Sequence, residues 1–170
     1  MAELWDIYDE NRNKTGRFAE RGVYRPKEGE YHIVAVALIL NSKKEILITK
    51  RSPSKKQEPL KWELPGGSII AGETSLQGIL REVKEEIGLT FLTQDATFLT
   101  TIKRDVIPQD FKDIWLFKKD VDLKELEFAD GEVIDAKWVT IDEFLELKEK
   151  GEAVSVIDVG IEEYKLALTK

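Results

Sequence analysis

The chain of 170 residues has no cysteine, a single histidine, and no apolar run approaching the roughly 20 residues needed to cross a bilayer. Without cysteine there is neither a disulfide nor a thiol nucleophile, and His32 alone cannot supply a histidine-rich metal site. The opening MAELWDIYDE lacks the apolar core of a secretory signal, so the expected location is cytoplasmic. The longest apolar stretch, Ile33 to Leu40, has the length of a buried strand. Positive charge is also in deficit: 26 Lys and Arg face 33 Asp and Glu, a net charge of −7. That balance argues against nucleic acid held on a broad basic surface. An anionic ligand would have to be received by a cation and local basic residues. With 42% hydrophobic and 35% charged residues, the expectation is one soluble domain over residues 1–170.

The densest chemical signal is the stretch from Gly67 to Leu89, GSIIAGETSLQGILREVKEEIGL. Thr74 followed by Gln77 has the form of a capping box, which predicts a helix starting near Ser75. Leu76, Ile79, Leu80, Val83 and Ile87 recur at the offsets that make one apolar stripe. Gly88 falls where a left-handed cap commonly ends a helix. The predicted helix, Ser75 to Ile87, places Glu82, Glu85 and Glu86 together on one flank, outside the buried stripe. Like charges three or four residues apart cost roughly 0.2 to 0.5 kcal/mol per pair when nothing compensates them. A divalent cation compensates them, and Mg²⁺ usually bridges one or two carboxylates to a substrate phosphate. A charged, solvent-facing helix is the alternative. Gly78, on the carboxylate side, either leaves room for metal or substrate or is merely tolerated, at up to about 1 kcal/mol against alanine.

Gly67, Glu73, Arg81, Glu82, Val83, Glu85, Glu86, Gly88 and Leu89 stand at a fixed spacing that resembles the Nudix signature at every specified position. The resemblance runs from about Tyr31 to Lys150. It implies an α/β Nudix fold, an α/β/α sandwich with a mixed sheet, and a pyrophosphohydrolase that cleaves a small-molecule diphosphate such as a nucleoside diphosphate derivative. It also implies Mg²⁺ or Mn²⁺ held by Glu82, Glu85 and Glu86 with the Gly67 carbonyl, one of the glutamates acting as base. Glu73 and Arg81 become an ion pair that orients the ligand carboxylates, and Glu132 an additional acid near the metal. A non-catalytic, nucleotide-sensing Nudix module is a second reading, in which erosion of the metal carboxylates is expected; here all three are intact. The opening LWDIYD to RFAERGVYR reads as a hairpin. With TKRS it resembles the branch containing isopentenyl diphosphate isomerases, which use a cysteine and a histidine-rich metal site that this chain lacks.

Outside the signature, Arg51, Lys50 and Lys55 are candidates for binding a terminal phosphate. Trp115 and Phe117 share one strand face, suited to core packing or to stacking on a base. Trp5 and Tyr8 are placed to cover a pocket or to pair two subunits as a homodimer. The expected elements are strands at His32 to Leu40 and Glu45 to Arg51, paired as a hairpin about the turn Asn41 to Lys44. A short strand at Trp62 to Leu64 leads into a turn at Pro65-Gly66-Gly67. Further strands are expected at Thr97 to Val106, Asp110 to Val121 and Lys137 to Thr140, and helices at Ile141 to Lys150 and Asp158 to Leu168. Residues 1–30 would form the N-terminal hairpin extension, 31–150 the core and 151–170 a C-terminal helix.

Overall fold

The computed structural model describes residues 2–23, 26–106, 108–129, 131–155 and 161–169. Strands β1 (Leu4–Tyr8) and β2 (Lys14–Glu20) form the expected antiparallel hairpin as a separate two-stranded sheet. Tyr24 and Arg25, the end of the segment read as hairpin, lie outside the described residues. β1 joins the rest through Tyr8 and Tyr31, which exchange backbone bonds of 2.8 and 2.9 Å. β3 (His32–Leu40) follows with the predicted bounds.

β4 (Ile46–Arg51) departs from expectation. It meets β3 at one position, Leu40 opposite Ile46, and the two strands then diverge. The next elements enter the gap: β5 (Trp62–Glu63) pairs with β4, and β6 (Gly66–Ser68) pairs with β3. The segment expected to be a turn at Pro65-Gly66-Gly67 is therefore largely a strand. Glycine makes this possible, because a Cβ on Gly66, at φ +152°, would lie 2.2 Å from the Ala35 carbonyl oxygen.

After α1 (Ser75–Ile87), β7 (Thr97–Arg104) and β8 (Asp110–Lys118) form an antiparallel pair. β8 runs parallel to β3 along its whole length, from His32 opposite Asp110 to Leu40 opposite Lys118. β9 (Val133–Val139) pairs with β4 and begins four residues before the expected Lys137. β9 and β5 both pair with Thr49 and Lys50, so they occupy opposite edges of β4. α2 (Ile141–Glu149) and α3 (Ile161–Thr169) complete the fold, while 158–160 of the expected last helix lie outside the described residues.

The seven-stranded mixed sheet is covered on both faces. Ala35, Ala37, Ile39, Leu47 and Phe117 meet Ile79, Val83 and Ile87 of α1. Val36, Leu38, Ile48, Ile114 and Leu116 meet Phe144 of α2 and Ala167 of α3. Each fully buried Val, Leu, Ile or Phe contributes about 1.5–3 kcal/mol, which fixes α1 on its sheet face. Phe117 is buried in the α1 layer beside Phe91 at 4.5 Å between ring centroids, and Trp115 Nε1 donates to Ser75 Oγ at 2.9 Å. Both aromatic side chains therefore pack within the fold. No described helix is long and apolar enough to cross a membrane.

Candidate active site

Both ends of α1 form as the sequence dictates. Gln77 N–H donates to Thr74 Oγ1 at 3.2 Å, Thr74 N–H donates to Gln77 Oε1 at 2.9 Å, and Gly88 takes φ +74° with its N–H on the Lys84 carbonyl. The loop before the helix is tied by Arg81. Its Nε and Nη2 donate to the two oxygens of Glu73 at 2.8 and 2.9 Å, and its Nη1 donates to Glu82 at 2.7 Å and to Glu85 at 3.1 Å. Glu73 also accepts from Ile70 N–H at 3.1 Å. The Arg81 bond holds the Glu73 pKa below its ordinary value against a smaller opposing effect of burial. Gly78 makes no room for a ligand: a Cβ there would lie 2.3 Å from Cδ1 of Ile69, so the missing side chain serves packing.

The three signature glutamates are not equivalent. Glu85 has 53% of its side chain exposed. Glu82 lies against Gly67, where a Cβ would come within 2.6 Å of the Glu82 carboxylate, so glycine is required for the approach. Glu86 is only 4% exposed, which corrects its placement on a flank outside the core. The β5–β6 segment covers it, and Gly66 N–H donates to its Oε2 at 3.0 Å. Burial, with the Glu63 and Glu82 charges, pushes its pKa well above the ordinary carboxylate value, opposed by the Gly66 bond and Lys55. Burial also raises Glu82, with Arg81 opposing.

Arg51, Lys55 and Glu132 converge on the same region in a form not foreseen, whereas Lys50 turns to the other sheet face. Arg51 is engaged with protein groups: Nη1 donates to both oxygens of Glu63 at 3.0 and 2.8 Å, and Nε and Nη2 donate to the Gln57 carbonyl at 3.2 and 2.9 Å. Lys55 pairs with Glu132. Burial would raise Glu132, but Lys55, Arg21 and Arg51 outweigh it and leave its pKa below the ordinary value. The Lys50 ammonium lies 5.5 Å from the Trp62 ring centroid. Sequence reasoning missed Glu63, buried beside Arg51, and Arg21, which the hairpin brings to Glu3 at 3.0 Å and into the field of Glu132 and Glu82. Only the short WE before Pro65 hinted at Glu63, and nothing local marked Arg21.

Six carboxylates, Glu63, Glu73, Glu82, Glu85, Glu86 and Glu132, are thus faced by three basic side chains, Arg51, Arg81 and Lys55. Among the described residues, no three acidic or histidine side chains already surround a common point. The donor set is nonetheless all oxygen, carries excess negative charge and includes a buried carboxylate, which fits a hard divalent cation. A cleft of about 760 Å³ opens beside the cluster. Glu63, Gly66 and Gly67 line it there, Val34 and Val36 lie along its sheet side, and Lys103 stands farther along.

The signature loop and helix, with a carboxylate cluster around the buried Glu86 beside a cleft at a mixed sheet, define a class. The NUDIX domain model matches residues 30–158. The chain belongs to the NUDIX domain family and is a Nudix-type hydrolase. It is 37% identical over 153 residues to an uncharacterized Nudix hydrolase of Listeria monocytogenes, covering 89% of this chain and 88% of that protein. Over 58 residues it is 47% identical to the RNA pyrophosphohydrolase of Orientia tsutsugamushi, with 34% of each chain covered. In fold it is similar to a Deinococcus radiodurans protein known from a crystal structure, with a TM-score of 0.74, 22% identity and 98% of each chain covered.

Proposed function

We propose that the chain is a metal-dependent pyrophosphohydrolase that splits the diphosphate linkage of a nucleoside diphosphate derivative by attack of water. One observation carries this reading: Glu86 is a buried carboxylate flanked by Glu63 and Glu82, beneath the Gly66–Gly67 strand that lines the cleft. Isolated buried charge is costly and calls for a compensating cation. Glu82, Glu85, Glu86 and the Gly67 carbonyl are the groups that would hold Mg²⁺ or Mn²⁺. When bound, such an ion lowers the pKa of a coordinated water and offsets charge on the diphosphate.

The chain's own residues supply position. Arg81 holds Glu82 and ties the loop at Glu73 to the helix. Gly67, without a side chain, lets the Glu82 carboxylate lie against the loop. Lys55, paired with Glu132 and acting on Glu63 and Glu86, is the basic group of the cluster suited to a substrate phosphate. The water proton passes to one of the site carboxylates, Glu82, Glu85, Glu86 or Glu132. The cleft volume of about 760 Å³ lies within the roughly 300–1,000 Å³ of small-molecule sites. The partial likeness to a protein named as a pyrophosphohydrolase supports the same reaction class.

The test is release of phosphate or nucleotide, with Mg²⁺, Mn²⁺ or chelator, across nucleoside diphosphates, nucleoside triphosphates, nucleotide sugars and isopentenyl diphosphate. Metal-dependent cleavage of one class is expected and names the substrate. Binding without any cleavage would overturn the enzyme reading in favour of a nucleotide-sensing module.

A further inference from the structure

We propose that Glu63 is a further cation-holding carboxylate of this site, working with Glu86, with Arg51 as its positioning residue and the Thr49 hydroxyl receiving a water of the bound ion. The inference rests on the metal-dependent reading above and extends it to residues outside the signature.

Strand geometry brings these groups together. Along β4, Leu47 belongs to the layer under α1, whereas Ile46 and Ile48 belong to the opposite layer. Alternation therefore turns Thr49 and Arg51 toward α1 as well. Glu63 is the register partner of Thr49 on β5, so the two side chains share that face, with Cβ atoms roughly 4.5–5.5 Å apart. α1 supplies Glu86 from above, and Gly66, three residues after Glu63, donates to it. Glu63 also lines the cleft with Gly66 and Gly67.

The carboxylate is prepared as metal ligands usually are. Its side chain is 13% exposed. A single Arg51 nitrogen, Nη1, contacts both of its oxygens. An ionised carboxylate offers about four lone-pair sites, so this one edge contact leaves capacity on both oxygens. Arg51 is itself fixed from behind by the Gln57 carbonyl. A ligand held by a partner that is in turn held is the pattern that sets ligand orientation in metal sites. Among the charges acting on Glu86, that of Glu63 is the largest, ahead of Glu82. Two carboxylates with water and substrate phosphate are the usual Mg²⁺ complement, so no third side chain has to converge.

A second, independent observation points to a ligand here. Thr49 is 0% exposed, and its Oγ1 is the buried side-chain atom that lacks a hydrogen-bond partner among the described residues. Buried hydroxyls are rarely left so, and an ordered water is the usual solution in a polar niche. Here the orphan hydroxyl belongs to the residue paired with Glu63 across the two strands. A water bound to the ion between Glu63 and Glu86 satisfies it.

The experiment is Mn²⁺ binding to the full chain, read as free Mn²⁺ by electron paramagnetic resonance and as the shift in thermal unfolding on adding Mn²⁺. Glu63→Gln is expected to weaken Mn²⁺ binding by at least roughly 10- to 100-fold, the range seen when groups that only support metal ligands are removed. Thr49→Val, of similar shape, is expected to unfold at a higher temperature without Mn²⁺ and to gain less from adding it. Glu63→Asp keeps the charge and the Arg51 pairing, and its weakened binding decides the matter should the glutamine variant fail to fold. Wild-type affinity in Glu63→Gln or Glu63→Asp, with binding lost in Glu86→Gln, would overturn this inference and leave the proposed function standing. Absence of Mn²⁺ binding in the wild type, together with no metal-dependent cleavage, would overturn both.

Discussion

Arg81 shows how one side chain organises several others: it donates to Glu73, Glu82 and Glu85 and to the Ser68 carbonyl. Its pairing with Glu73 was legible only through the resemblance of the signature to a known family, because Glu73 stands in the loop before the helix, where no helical period places it. The unequal burial of Glu82, Glu85 and Glu86 was not legible, because an isolated helix treats them alike and only the covering strands separate them. Glu86→Gln keeps the shape and the bond from Gly66 but loses the charge. Turnover is expected to fall by roughly two orders of magnitude or more, with an unchanged circular dichroism spectrum. His32 makes a different test. Its ring is buried, stacks on Trp5 at 4.5 Å and places Nδ1 3.3 Å from the Gln109 carbonyl, which can only accept. Burial lowers its pKa from 6.5, while Asp110 and the Gln109 carbonyl oppose this and Arg104 reinforces it. The folded form binds this proton less readily than the unfolded chain. The His32 contribution to stability is therefore full above about pH 6.5 and lost as pH falls through the lowered folded value. Urea midpoints at pH 7.5 and 5.5 should diverge more in the wild type than in His32→Gln.

At the scale of elements, α1 and β3 were legible to the residue. A capping box, an apolar stripe and a terminal glycine are local signals, and an unbroken apolar run marks a strand buried on both faces. The β5–β6 segment was not legible, because a run such as GGS becomes a strand only when a neighbouring strand offers a free edge. Gly78 tests how tightly α1 is seated. Alanine would favour the helix by up to about 1 kcal/mol, yet its Cβ would meet Ile69 Cδ1 at 2.3 Å. Gly78→Ala is accordingly expected to destabilise by roughly 1–3 kcal/mol in urea unfolding. Pairing it with Ile69→Val, which removes that methyl group, should recover part of the loss through a coupling between the two sites.

Across the whole molecule, the N-terminal hairpin is stitched to the segments that build the site. Ala71 N–H donates to the Leu4 carbonyl at 2.7 Å, and Gly72 N–H donates to Asp6 Oδ2 at 2.9 Å, both within the loop that leads into α1. At its turn, Arg12 reaches β8 and forks onto Asp113 at 2.7 and 2.6 Å, where Thr101 also donates at 2.6 Å. The Asp113 side chain is 1% exposed, so removing its cation leaves a buried charge poorly compensated. Arg12→Ala is expected to cost about 3 kcal/mol by urea unfolding. Arg12→Lys should recover only part of that, since an ammonium cannot reproduce the fork. A saturating divalent ion should raise the unfolding temperature of the wild type, because an ion that binds only the folded chain stabilises it by mass action.

Local pattern settled the bounds and caps of the signature helix and the central strand, which depend on side chains a few residues apart whose geometry helix and strand periods dictate. The fixed spacing of the signature residues carried the resemblance to the family, and that resemblance implied the pairing of Glu73 with Arg81. Contacts between distant segments settled the rest. The burial of Glu86, the commitment of Arg51 to Glu63, the orphan hydroxyl of Thr49 and the arrival of Arg21 beside the acidic cluster all follow from the way β3 and β4 diverge and the hairpin folds over the loop. Burial and field are sums over neighbours remote in the chain, and no short stretch of residues encodes them.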